Sequence, residues 1–285
     1  MANVIDLPDF MFIEKNKPSK FSKLIFFFKG LLIGFIYKKF HKKIFCFFIN
    51  LFFKKDGKIN YSNGMYYKVL EDDSKIRYPN KRIDRVVVNH KLHFENLFNS
   101  YCLNDVNFEN TNLVIDCGSN VGELFYSLKF KNINSNYYAF EPDSKNFECL
   151  KLNIDQKNSK LFEIGLSDSE GIKSFYIDNE GADSSLEFFG SNNKVDINTN
   201  TLDFYNLKKI KLFKLEAEGH EFEVLKGASK TLKEIEYISV DYGPEKGIEK
   251  DTTIAEVTNY LFENNFEMVK GSKFRRIGLF KNKLI

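Results

Sequence analysis

Asp116-Cys117-Gly118-Ser119-Asn120-Val121-Gly122, with Phe140-Glu141-Pro142 downstream, decides the fold of this 285-residue chain. The short apolar run 113–117 reads as a strand, and 121–130 reads as an amphipathic helix. Between them, Gly118 and Gly122 let the backbone approach a ligand and adopt dihedrals closed to other residues. A first strand-to-helix turn of this kind is where open α/β sheets bind ligands. Glu141 ends the next apolar run, 23 residues after Gly118, and Pro142 stops the strand. A carboxylate there can accept hydrogen bonds from both hydroxyls of a ribose.

The same loop speaks against a dinucleotide. That fingerprint needs glycine at 118, 120 and 123; this chain has Gly118, Asn120 and Glu123. A carboxylate at 123 would stand where a pyrophosphate has to sit. The expected ligand therefore carries a ribose and no phosphates, as S-adenosylmethionine does. A Gly-x-Asn-x-Gly loop alone is an ordinary tight turn in some chains; the Phe-Glu-Pro at the next strand end is what adds weight. Asp168, in GLSDSEG after a third apolar run, is a candidate for the adenine edge, although Asp, Ser and Gly also make plain turns.

Working outward, the pattern from residue 112 alternates short strands and helices. Strands are expected at 113–117, 137–140, 161–166, 210–217, 237–241, 266–270 and 274–280. Helices are expected at 121–130, 144–155, 221–232 and 252–264. The pieces 173–178 and 194–198 look like an inserted hairpin or edge pair. Such alternation predicts a mostly parallel sheet with helices on both faces. Upstream, 90–102 reads as a helix, 65–70 and 75–78 as a small hairpin, and 56–64 (DGKINYSNG) as a polar linker. The expected organisation is a basic, apolar segment over 1–58, a hairpin and helix leading in over 59–110, and the ligand-binding domain over 111–285.

The stretch Lys214-Leu215-Glu216-Ala217-Glu218-Gly219-His220-Glu221 points to the chemistry. Alternation along KIKLF puts Lys214 and Glu216 on one side at the carboxyl end of a strand. A strand buried on both faces does not carry such charges unless they line a site. The next strand, YISVDYG, ends in Asp241. Carboxylates at neighbouring strand ends suit a general base, the oxygen ligands of a divalent cation such as Mg2+ held by Glu216 and Asp241, or hydrogen bonds to a polyol. Glu221 and Glu223 are assigned to the positive end of the following helix. His220, at a helix start, is read either as a surface residue or as a group that orients the acceptor.

Composition sets the outer limits. The chain is 43% hydrophobic and 28% charged, enough for a sizeable core. Its net charge of +3 disfavours a globally basic nucleic-acid binder. The charge is uneven: residues 1–58 hold 12 Lys against 4 Asp and Glu, and the remainder 30 basic against 35 acidic residues. Cys46, Cys102, Cys117 and Cys149 form no Cys-x-x-Cys, so a reducing compartment is the default. The stretch 23–55 has apolar runs at 24–28, 31–37 and 44–53, the last broken by Asn50. They are interrupted by Lys29 and by Lys38, Lys39, His41, Lys42 and Lys43, and bounded by Lys54 and Lys55. A bilayer span needs roughly 20 consecutive apolar residues, and none of these runs reaches it. The start MANVIDLPDF is acidic, unlike a secretory signal. Two readings remain: helices lying in the headgroup plane of an anionic membrane, or helices that pack on protein. The expected location is cytoplasmic, at the inner face of the membrane on the first reading.

Taken together, VIDCGSNVGELF, YYAFEPDSKNFECLKLNI, GLSDSEG, VDINTNTLDFY, KLEAEGHEFEVLKGA and ISVDYG resemble the FkbM family of class I S-adenosylmethionine-dependent O-methyltransferases, over residues 112–243 and in the family's order. The resemblance implies a Rossmann-like sheet of seven strands, one antiparallel, with the final hairpin from 266–280. It implies that Gly118, Asn120, Gly122 and Glu141 hold the methionine and ribose parts, with Ser167 and Asp168 near the adenine; Asp116, which opens the loop motif, is expected in the cofactor site with them. At the reacting end Glu216 is expected to act as base or cation ligand with Asp241 as its partner, Lys214 and His220 are expected to orient the acceptor, and the acceptor is expected to be a hydroxyl on a sugar of a surface glycan or its precursor. The family usually reads Lys-x-Asp-x-Glu-Gly where this chain has Glu216, and often has Glu where this chain has Asp241. Two other readings stay open from the residues alone: a nicotinamide-dependent sugar oxidoreductase, and a nucleoside-binding scaffold without turnover.

Overall fold

The computed structural model describes residues 20–53, 56–87, 89–178, 184–273 and 275–285. The acidic start, Lys54, Lys55 and Phe274, all used above, lie outside the described residues. Packing divides the chain after His93 into two compact units. The division falls within the helix His90–Ser100 (α3).

The first unit contains helices α1 (Lys20–Lys39) and α2 (Lys42–Phe53) and an antiparallel sheet, β1 (Ile59–Ser62), β2 (Met65–Val69) and β3 (Lys75–Tyr78). Strand β1 falls inside the stretch read as a linker. The signal was Asn63-Gly64: both residues have positive φ (50° and 80°), the two-residue hairpin turn that joins β1 to β2. Asn50, which breaks the apolar run of α2, accepts from the Ile59 N–H at 2.9 Å and donates to the Ile59 carbonyl at 2.7 Å. One polar side chain thus ties helix to strand by borrowing a ladder position. Phe45, Cys46 and Ile49 of α2 are buried with Ile59, Tyr66 and Ile76 of the sheet. Among the described residues, no helix is long and apolar enough to cross a membrane.

The second unit carries the seven-stranded sheet. Its strands are β4 (Leu113–Cys117), β5 (Asn136–Phe140), β6 (Ser159–Phe162), β10 (Ile210–Leu215), β11 (Ile235–Asp241), β14 (Phe266–Gly271) and β15 (Ile277–Asn282), in the spatial order β14-β15-β11-β10-β4-β5-β6. Only β15 runs against its neighbours in this sheet, as the resemblance implied. Helices α4 (Glu123–Phe130), α5 (Ser144–Asn153), α6 (Glu221–Lys226) and α7 (Ile254–Glu263) accompany it. Alternation along each strand feeds two apolar cores. Ile115, Phe213, Leu215 and Val240 pack with Val224, Leu225, Val257 and Leu261. Val114, Tyr137 and Leu212 pack with Leu124, Leu128 and Leu150.

The third expected strand is divided. Residues 159–162 join the large sheet, while β7 (Gly165–Leu166) turns away to pair with β9 (Lys194–Asn200), itself antiparallel to β8 (Gly171–Tyr176). The expected hairpin is therefore the outer part of a three-stranded annex. The pieces β12 (Pro244–Lys246) and β13 (Asp251–Thr252) form one more short pair. The helix expected over 221–232 ends at Lys226 and is followed by a turn of 3-10 helix, Leu232–Glu234. All four cysteines are free and buried.

Candidate active site

The chain runs β4, β5, β6 in one direction and β10, β11, β15 in the other, so the strand order reverses between β4 and β10. Open α/β sheets bind ligands outside the carboxyl ends of the strands at such a point. Gly118 follows β4 and Glu216 follows β10, and the two touch. A Cβ on Gly118 would lie 2.0 Å from the Glu216 carbonyl oxygen, and its φ of +71° belongs to the left-handed region. No other residue fits both conditions.

On the β4 side, Asn120 also has positive φ (49°), and its N–H donates to Glu141 Oε2 at 2.7 Å. Glu141 Oε1 accepts from the Asp143 N–H at 2.9 Å. The Glu141 carboxyl is buried, and burial pushes its pKa up to about 7. The Asn146 side chain bonds the same carboxyl, which keeps capacity for a further hydroxyl donor. Gly122 also lies in the left-handed region, with φ +90°, and a Cβ there would crowd the side-chain ends of Leu150 and Ile154 at 3.0 Å. Asp116 is 1% exposed and already taken up, accepting from the Tyr137 hydroxyl and standing 2.9 Å from Lys214 Nζ.

On the β10 side, Lys214 faces Asp116 across the strand pair, in register. Its amine donates to the carbonyls of Cys117 (2.9 Å) and Gly118 (2.7 Å) and lies 3.3 Å from Glu216 Oε2. Burial opposes its charge, but Asp116, Tyr101 and Glu216 outweigh burial and raise its pKa well above the ordinary value. Glu216 Oε2 accepts from the Tyr101 hydroxyl. Arg275 Nη2 stands 2.5 Å from both Glu216 Oε1 and Asp241 Oδ2, and its guanidinium lies over the Tyr101 ring at 5.4 Å. The two acids respond oppositely. Burial tends to raise Glu216, but Arg275 and Lys214 hold it well below the carboxylate range. Asp241 is raised to about 6, by burial and then by the Glu216 charge beside it. Glu245 is raised further, to about 8, by burial and then by Asp241 and Glu216. Its buried Oε2 has no hydrogen-bond partner.

The structure thus brings Lys214, Glu216 and Asp241 together and adds Arg275, Tyr101 and Glu245, which sequence reasoning missed. One signal was available. The chain has 5 Arg among its 42 basic residues, and two stand together at 275 and 276 just before the last strand. Arginine chosen in a lysine-rich chain marks a place for a planar fork. Tyr101, more than a hundred residues from its partner Glu216, left no local signal.

His220 belongs to a second group. Its Nε2 is 2.9 Å from Ser167 Oγ and its Nδ1 is 2.6 Å from Glu187 Oε1. Lys173 bonds Ser167 Oγ and Asp168 Oδ1, both at 2.7 Å, and with Ser169 and Ser167 keeps the Asp168 pKa below the usual range. Ser167, Asp168 and His220 therefore share one network, with no direct contact to Glu216 or Asp241. Glu221 does more than favour a helix end: its carboxylate accepts from the N–H groups of Ala217 and Gly219 and from the Thr253 hydroxyl, fixing the 217–219 loop.

The family description "Methyltransferase FkbM domain" matches residues 116–268, more than half of the chain and all but the Tyr101 and Arg275 parts of this cluster. The chain belongs to the FkbM methyltransferase family. Methyltransferase sdnD of Sordaria araneosa is 26% identical, over 47% of this chain and 67% of its own length. Hexuronic acid methyltransferase AglP of Haloferax volcanii is 30% identical, over 47% of this chain and 56% of its own. The chain thus spans about two thirds of one curated relative and just over half of the other. The crystal structure of methyltransferase FkbM from Methylobacillus flagellatus KT aligns over 70% of this chain and 52% of its own, with 13% identity and a TM-score of 0.46.

S-adenosylmethionine is the methyl donor that goes with the FkbM family, and the residues present suit it. The Glu141 carboxyl, at a strand end where open α/β sheets bind ligands, can accept a further hydrogen bond from a hydroxyl.

Proposed function

We propose that this FkbM methyltransferase moves a methyl group from S-adenosylmethionine to a hydroxyl of a sugar in a surface glycan or its precursor. The observation that carries the reading is Asp241, a buried strand-end carboxylate whose pKa of about 6 leaves it ionised yet basic near neutral pH. The name of the relative AglP supports a sugar acceptor.

S-adenosylmethionine supplies an electrophilic methyl on a sulfonium centre. Glu141 accepts the ribose hydroxyls, Asn120 and Gly118 shape the loop beside them, and Ser167 and Asp168 border the adenine. Asp241 accepts the proton of the acceptor hydroxyl as its oxygen bonds to the methyl carbon; the C–S electron pair stays on sulfur. A group with pKa near the working pH contributes about 10²–10⁴-fold in such a role. Holding the hydroxyl in line with the C–S bond contributes as much again or more. Glu216 is a poor proton acceptor, because Arg275 and Lys214 keep it ionised. It positions Arg275, which in turn aligns Asp241. His220 fixes Ser167 from the other side of the site.

The donor set does not suit the expected divalent cation. Glu216 Oε1 and Asp241 Oδ2 already share the Arg275 guanidinium, and Glu216 Oε2 and Asp241 Oδ1 accept from the Tyr101 hydroxyl and the Gly243 N–H.

Transfer of tritium from labelled methyl donor to uronic-acid and neutral glycan acceptors tests the reading. Asp241→Asn should lower kcat by about 10²–10⁴-fold and leave adenosylhomocysteine binding within threefold. Full turnover by Asp241→Asn would sink the base assignment. Labelled protein or lipid with unlabelled glycan would sink the sugar.

A further inference from the structure

In the first unit the two helices have a second apolar face that the unit does not use. On α1, Phe21, Leu24, Phe28, Leu31 and Phe35 recur in steps of three and four, a single stripe. They are between 52% and 72% exposed. The opposite side supplies Ile33 and Ile36 to the core. On α2, Ile44, Phe47 and Leu51 repeat the spacing and are 58–62% exposed, while Phe45, Cys46 and Ile49 face the sheet. Exposed phenylalanines and leucines in contiguous stripes are unusual on a solvated surface and mark a contact.

The charge around the stripes says what the contact is. No acidic residue occurs between Glu14 and Asp56. Lys29, Lys38, Lys39, Lys42 and Lys43 are all exposed, four of them gathered where α1 gives way to α2. A second copy of the same surface would bring these lysines together with no carboxylate to answer them. Neither helix is long and apolar enough to span a bilayer, but apolar stripes flanked by lysine suit helices that lie within a headgroup layer.

We propose that α1 and α2 seat this chain on an anionic lipid bilayer, with Phe21, Leu24, Phe28, Leu31, Phe35 and Phe47 entering the acyl boundary and the lysines meeting lipid phosphates. This contact does not depend on the methyl-transfer reading.

Flotation of the full chain with vesicles tests it, using phosphatidylcholine alone or with a third phosphatidylglycerol. The chain should float with the anionic vesicles and stay behind with the neutral ones, and raised salt should release it. Lys38→Gln, Lys39→Gln and Lys43→Gln combined should weaken partitioning about a hundredfold, at about fivefold per lysine. Phe28→Asp with Phe35→Asp should abolish flotation; both positions are exposed, so an unchanged circular dichroism spectrum is expected. Absence of flotation on anionic vesicles overturns the proposal. So does equal recovery on both vesicle types, or a dimer in solution that Phe28→Asp dissolves.

Discussion

The two ends of the crevice are built on different plans. The Glu141 end is backbone and one acid: a left-handed loop, two N–H donors and a carboxyl. The Asp241 end is a lattice of charged side chains from four places in the sequence, Tyr101, Lys214–Glu216, Asp241–Glu245 and Arg275. On the proposed function, a donor shared by many enzymes would be met by the main chain, whose geometry is fixed by the fold, and a particular acceptor by side chains, which substitution can change without disturbing the sheet.

Four substitutions probe this contrast. Gly118→Ala strikes where the two ends touch and should have the largest effect. Its methyl group would meet the Glu216 carbonyl at 2.0 Å, so donor binding should vanish and the thermal midpoint should fall by many degrees. A variant with wild-type calorimetric affinity for adenosylhomocysteine would show that the ends are independent.

Arg275→Met should come next. It leaves Glu216 and Asp241 facing each other without their shared cation. Arg275 holds the Asp241 pKa down, so its loss should push the midpoint of the rate profile above pH 6. The rate should therefore be hurt more at pH 6 than at pH 8, against a wild type whose rate rises through about pH 6 and then levels. An unmoved midpoint would detach Arg275 from Asp241.

Glu141→Gln tests the other end. The ionised carboxyl is the better acceptor for hydroxyls, and it forms as pH passes about 7. Wild-type affinity for adenosylhomocysteine should strengthen from pH 6 to pH 8, while the variant should bind about tenfold or more weakly with a flat profile. Equal slopes would place the titrating group elsewhere.

Glu245→Gln should give the smallest effect, seen only in stability. The carboxyls of Glu141, Glu221 and Glu245 are raised from 4.5 to about 7, 7 and 8. A raised acid holds its proton more tightly folded than unfolded. Its contribution is complete below about pH 4.5 and is lost as pH climbs through the folded value. Wild type should therefore lose stability between pH 5 and pH 8. The variant should lose less, by on the order of 1 kcal/mol at pH 8 after allowing for partial exposure. Parallel melting curves across that range would show that Glu245 ionises freely.

The same contrast explains what was legible in the sequence. The Gly118–Gly122 loop, Glu141 and the succession of strands and helices along the chain could be read because they rest on local spacing and on the period of apolar residues. Lys214, Glu216 and Asp241 could be read because charge inside an apolar strand is itself a signal. Arg275 and Tyr101 could not be placed, since their positions follow from strand order across the sheet. Likewise β1 was hidden in a polar stretch, because its pairing comes from Asn63-Gly64 and its helix contact from one asparagine rather than from alternation.

Lys214 and Asp116 stand opposite each other on adjacent strands of the central sheet. A slip of one residue would turn Lys214 over, into the side occupied by Phe213 and Leu215. The amine would then be stranded in hydrocarbon. The ion pair at the candidate site would thereby also proofread the pairing of the central strands, since a misregistered sheet would have to bury that amine without its carboxylate.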